Sequence, residues 1–175
     1  MRWITFLILL AVMAAFRLAR FLSVPHANGA EWPEIEYVVI LTVFYALFAD
    51  DQHAPLAGLA AGAMMDLLNP LAILGTSALA LGLVAWGIVR IRLSIFRESV
   101  GSQVILTVLA VFAYGFLTAL LRTIAPSGSG PSFWREILTM TGNSAYSGLA
   151  APALFWLFFK IRPLLGFGTH GPRSR

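Results

Sequence analysis

The sequence predicts an all-α, polytopic membrane bundle of about six transmembrane helices. Three observations lead there. Of 175 residues, 59% are hydrophobic and only 11% are charged, whereas an average globular chain carries about 25% charged residues. The mean hydropathy of +0.82 has the same origin. Long apolar runs also recur along the chain, separated by short polar, Gly or Pro segments. A soluble domain this small must clothe a large surface in polar side chains, and 12 basic plus 8 acidic residues are too few for that. An ordinary soluble enzyme, a disordered chain and a fibrous repeat are thereby excluded. Cysteine is absent, so there is no disulfide framework, thiolate metal site or cysteine nucleophile.

The first span is Trp3 to Leu22, apolar from Trp3 to Phe16 and then carrying Arg17 and Arg20. It is read as a retained helix and not as a cleaved signal peptide, because the rest of the chain is itself embedded. Ser23 to Glu36 is a loop, marked by Pro25, Asn28-Gly29 and Pro33. Segment two runs from about Ile35 to Ala49 and segment three from Ala54 to Leu68, with Asp50 to His53 between them. Pro55 suits the first turn of the third helix. Both segments are short, roughly 20–23 Å, against a hydrocarbon core of about 30 Å. Segment four is Leu71 to Val89, five is Val100 to Leu121, and six is Gly142 to Phe159 with Pro152 inside it. Ala125 to Ser132 (APSGSGPS) reads as a flexible turn. In Phe133 to Met140, the residues Phe133, Trp134, Ile137 and Leu138 share one helical face, which predicts a separate short interfacial helix. The chain is thus one transmembrane domain, residues 1–166, with a basic cytoplasmic tail at 167–175.

Basic residues set the orientation. With the N-terminus inside, 8 of them fall on the inner side (Arg2, Arg90, Arg92, Arg97, Lys160, Arg162, Arg173, Arg175) and 4 on the outer (Arg17, Arg20, Arg122, Arg135). Both termini are therefore expected in the cytoplasm. Because these residues sit at span ends, they read as topology determinants and not as a nucleic-acid surface. Arg90, Arg92 and Arg97 form a basic inner loop suited to anionic lipid. The tryptophans mostly mark span ends, as an aromatic belt does.

The most informative stretch is Gly58 to Arg92. Gly58 and Gly62 are four apart, with Ala54 before them and Asp66 after them on one helical stripe. Small residues at this spacing let helix backbones approach closely in lipid. The approach can be intramolecular or can serve another protein, a second copy of this chain included. Asn69-Pro70 ends the helix, and Gly75 falls in the tight restart. Ala54, Gly58, Gly62, Asp66, Asn69, Pro70 and Gly75 are together the expected helix-packing or partner interface.

Asp66 is the only acidic residue well inside a span. A carboxylate there is costly unless paired, and Arg17 and Arg122 lie at similar depth. An Asp66 ion pair with Arg17 or Arg122 is expected; the alternative is an Asp66 solvated near the interface. Catalytic chemistry finds little support. His26, His53 and His170 are scattered, and Asp50, Asp51 and His53 fit a solvated turn better than a metal site. Asn143, Ser144, Tyr146 and Ser147 make a polar patch early in segment six, but no span holds a histidine to activate either serine. Hydrogen bonding between helices explains the patch better. No metal or cofactor is expected.

These residues carry a resemblance. The Gly-rich third helix, Asp66, the turn with Pro70-Leu71, Gly75, Ala78-Leu79 and the basic exit at Arg90 to Arg92 resemble the MreD family of bacterial rod-shape-determining proteins. The ending LAAPALFWLFFKIRPLLG, Leu149 to Gly166, is similar to that family's last helix and basic cytoplasmic end. The likeness runs from about Ile35 to Gly166. The chain departs from the family in its longer first loop, rich in Gly, Pro and acidic residues, and in the Ser/Gly insertion before Phe133. The resemblance implies a non-enzymatic inner-membrane subunit of the elongasome, the machine that builds lateral cell wall. Its implied partner is MreC, beside RodA and its class B penicillin-binding protein, with MreB engaged indirectly. It also implies a fold similar to the substrate-binding subunit of energy-coupling-factor (ECF) vitamin transporters. The alternative function follows from that fold: a small-molecule-binding transport subunit, whose ligand candidates here are Asp66, Asn69, Thr76, Arg122 and Asn143.

Overall fold

The computed structural model describes residues 3–19, 34–69, 74–92, 100–124 and 133–165, and the side chains of all but 122–124, 133–136 and 161–165. These residues form six α-helices and no strand: α1 (Trp3–Leu18), α2 (Tyr37–Phe48), α3 (His53–Leu68), α4 (Thr76–Ile91), α5 (Val100–Ile124) and α6 (Phe133–Leu165). Their number and order match the expected segments. One of them, over Val100–Leu121, is long and apolar enough by itself to cross a membrane, while α1, α2 and α4 are shorter apolar helices.

The centre of the bundle is α2. It is apolar all round, the mark of a helix with no exposed face, and every residue from Tyr37 to Leu47 is buried. All five other helices touch it. Twelve residues make it only about 18 Å long. Its core is aromatic: Phe44 lies 5.1 Å from Phe158, 5.5 Å from Phe155 and 5.0 Å from Phe48, centroid to centroid. On the other side of α2, the Tyr45 ring meets Phe6 of α1 at 4.6 Å. Around this core the outer faces are also apolar, with Ile4 and Ile8 of α1, Leu79 and Leu83 of α4, Ile105 and Phe116 of α5 and Leu149 and Trp156 of α6 exposed. Apolar side chains both inside and outside suit lipid, not water.

Two expectations about boundaries need correction. The interfacial helix over Phe133–Met140 is not a separate element, because α6 runs unbroken for 33 residues from Phe133 to Leu165. Only Gly142 suggests a break between the two pieces, and one helical glycine costs about 1 kcal/mol, too little to end a packed helix. The fourth helix starts at Thr76 and not at Leu71. Gly75 takes a left-handed φ of 98° at its N-cap, which sets the start five residues later; Leu71 itself lies outside the described residues.

Candidate functional site

The α3–α4 hairpin is the most closely packed pair of helices. A Cβ on Gly58 would stand 2.6 Å from the Leu81 carbonyl oxygen and 2.8 Å from the Ala85 Cβ. On Gly62 it would collide with the Ser77 carbonyl and the Ala78 Cα. Only glycine permits this approach. Ala54, Gly58 and Gly62 are buried along the same stripe. The stripe therefore packs within the chain, against α4, which leaves Gly58 and Gly62 unavailable to a partner helix.

Asp66 ends the stripe and is 3% exposed. Its carboxylate accepts three backbone hydrogen bonds: Oδ2 from Gly75 N–H at 2.9 Å and Ala78 N–H at 3.1 Å, and Oδ1 from Ser77 N–H at 3.0 Å. These belong to the start of α4, where the first N–H groups have no partner within the helix and the helix dipole favours negative charge. Asp66 is thus a long-range N-cap. The expected Asp66–Arg17 ion pair does not form, because each group has another partner. Arg17 pairs with Glu36 at the start of α2, and Asp66 is satisfied by backbone amides. The Arg122 side chain and Pro70 lie outside the described parts of the chain.

The beginning of α2 is completed by α6. The Glu34 N–H donates to Asn143 Oδ1 and the Glu36 N–H to Ser147 Oγ, both at 2.9 Å. Asn143 and Ser147 are one helical turn apart, so the polar patch joins helices as its composition suggests. Ser144 instead donates within its own helix to the Thr141 carbonyl, at 2.9 Å.

At this end of the bundle the walls of α1, α3, α4 and α5 leave a half-open cavity of about 290 Å³. Arg17, Glu34, Asn69, Ser77 and Tyr114 supply its polar lining. The Tyr114 hydroxyl donates to Ser77 Oγ at 3.3 Å, and Arg17 Nη1 approaches Met65 Sδ at 3.5 Å. Of the ligand candidates from the sequence, Asn69 lines this space, while Asp66 and Asn143 are bonded to backbone amides. Glu36, Ser77 and Tyr114 were not singled out from the sequence. The glutamate closing the first loop was a readable signal for an Arg17 partner; nothing in the local pattern marks Ser77 or Tyr114.

The opposite end holds a second arginine. Arg92 is 7% exposed. It pairs with Asp51 and donates to the carbonyls of Ala46, at 3.1 Å, and Ala49. The last carbonyls of α2 are thereby capped. The expectation that Arg90, Arg92 and Arg97 form a lipid-facing basic loop is corrected for Arg92, which turns inward. Arg90 lies over the Trp86 ring, 5.1 Å from its centroid, and Arg97 is outside the described residues.

Comparison with known proteins gives one match. No curated protein and no solved structure matches the chain significantly. The family model described as rod shape-determining protein MreD matches residues 1–161. An apolar-faced helical bundle with a glycine-packed hairpin and internally satisfied charges is what that match covers, and the chain belongs to the MreD family of rod shape-determining membrane proteins.

Proposed function

We propose that this chain is a non-enzymatic, multi-pass subunit of the bacterial elongasome, binding MreC in the inner membrane and supporting lateral wall synthesis. RodA and its class B penicillin-binding protein are its neighbours, and MreB is engaged indirectly. The observation that carries the reading is the family match over residues 1–161. Packing supports it from another side. The small-residue stripe and the described charges of α3 and α4 are largely committed inside the chain, so the surface left for a partner helix is the exposed apolar side of the outer helices, α1, α4, α5 and α6 among them. All six helices cross, with both termini cytoplasmic, as the distribution of basic residues favours. Helices α2 to α4 are short for this and lean on flanking residues.

The test is to purify the detergent-solubilised chain from its own cells and identify what accompanies it. Recovery of MreC in comparable amount is the expected result. Recovery of a transporter ATPase module without MreC would overturn it in favour of an ECF-type small-molecule-binding subunit. The observation favouring that second reading is the polar-walled cavity between α1, α3, α4 and α5.

A further inference from the structure

The two faces of α4 are packed very differently. Toward α3, a Cβ on Gly82 would stand 2.7 Å from a methyl of Leu59. Toward α5, a Cβ on Gly87 meets no atom within 4 Å. The space left there is a groove of about 300 Å³ between α4 and α5. Leu83, Gly87 and Ile91 form one wall, and Leu109, Ala113 and Leu117 belong to the other. Every residue lining it is apolar and belongs to the described parts of α4 and α5. Leu83 and Leu109 are 53% and 57% exposed, so the groove opens outward from the bundle. In a membrane protein that side meets lipid.

The groove has a charged end. Leu83, Gly87 and Arg90 are four and three residues apart, which puts them on one helical face, with Arg90 one turn beyond the glycine. Arg90 is exposed, and its guanidinium carbon lies 5.1 Å from the centroid of the Trp86 ring. That ring is itself 51% exposed. A cation held over an exposed ring is anchored without losing its charge. No acidic side chain lines the groove, and the neighbouring Arg92 turns inward to Asp51. An occupant with an apolar body and an anionic head matches both parts.

Size narrows the class. Leu83 to Ile91 covers about 12 Å of helix axis. A partner helix of that length, about 10 Å across, occupies on the order of 1000 Å³, several times the groove. A single acyl chain is slender enough to lie in it. We infer that the α4–α5 groove holds one acyl chain of an anionic phospholipid whose phosphate sits at Arg90. The inference concerns the purified chain alone, so it stands or falls separately from recovery of MreC.

The full chain in non-ionic detergent is titrated with phosphatidylglycerol or phosphatidylcholine of equal acyl chains, and retained lipid is read by native mass spectrometry with melting temperature alongside. Phosphatidylglycerol is expected to be retained about fivefold more tightly, the effect of one basic residue on an anionic headgroup. Gly87→Leu fills the groove where its Cβ meets no atom of its own chain, and is expected to reduce retention of both lipids. Arg90→Gln is expected to abolish the preference while leaving phosphatidylcholine unchanged. Lys160, held over Trp156 on α6 at 5.4 Å, is the control: Lys160→Gln removes an equal charge from the same end of the bundle and is expected to change neither. Arg90 and Lys160 are exposed, so their variants remain readable even if Gly87→Leu does not fold. Unchanged retention in folded Gly87→Leu, a preference that survives Arg90→Gln, or equal losses in Arg90→Gln and Lys160→Gln overturns the proposal. A dimer that Gly87→Leu converts to monomer also overturns it, and assigns the groove to a second copy of the chain.

Discussion

The two ends of the bundle solve one problem in different ways. Each must provide for backbone groups left over where helices stop. At the Arg92 end a single long side chain reaches across the last turn of α2 and is tied off by Asp51. Aromatic rings fill the neighbouring space, with Phe48 and Phe159 at 5.1 Å. At the Asp66 end the work is divided among short side chains. Asp66 finishes α4, Asn143 and Ser147 finish the start of α2, and Arg17 joins α1 to Glu36. Short side chains reach less far, and the remainder is a cavity. Among the described residues, one end is filled by aromatic packing and the other keeps a polar-lined cavity.

The largest test of this contrast is Gly62→Leu. Its side chain would push directly into the backbone at Ser77 and Ala78, which no rotamer relieves. A loss beyond the roughly 3 kcal/mol upper range of ordinary overpacking is expected, seen as failure to give a monodisperse peak in size-exclusion chromatography. Next is Asp66→Ala, which strips acceptors from three backbone N–H groups and should cost about 3 kcal/mol. Asp66→Asn retains one carbonyl oxygen and should lose roughly half of that. A melting temperature for Asp66→Asn equal to wild type would refute the capping role.

Arg92→Ala should cost less, about 1–2 kcal/mol. Its partner Asp51 is 74% exposed, so the ion pair itself adds little, and the loss is mainly of carbonyl capping. If Arg92→Ala melts below Asp66→Ala, the ranking of the two ends is reversed. The smallest effect has the opposite sign. Gly87 has no atom within 4 Å of an added Cβ, so Gly87→Ala should gain up to about 1 kcal/mol from helix propensity alone. A marked loss there would mean that a partner backbone occupies that face.

Much of this was legible in the sequence. Apolar runs located all six helices, and the spacing of Gly58, Gly62 and Asp66 identified the stripe that packs α3 against α4. The partner of Asp66 is not legible, because a carboxylate inside a span points to a cation. Backbone N–H groups carry no sequence label, although Asn69-Pro70 followed by Gly75 places a helix start close to Asp66. The Arg17–Glu36 pair is hidden in a similar way, since Glu36 closes a stretch whose prolines and glycine read as a loop. Amphipathic spacing over Phe133–Met140 reads as self-contained in the sequence, yet a stretch that follows the helical period on both sides of one glycine simply continues into one helix, α6. The cavity was illegible for a plainer reason. It is bounded by four helices, and the distances between them are a tertiary property.

The central helix has a consequence for how the chain is made. Both ends of α2 are finished by residues that follow it by a long way: Ala46 and Ala49 wait for Arg92, and the amides of Glu34 and Glu36 wait for Asn143 and Ser147. A segment of 12 residues emerging from the ribosome therefore cannot reach its native hydrogen bonding until most of the chain has been synthesised. Its shelter in the meantime must come from the insertion machinery or from α1, and α6, made after all five of the others, locks the start of α2 in place.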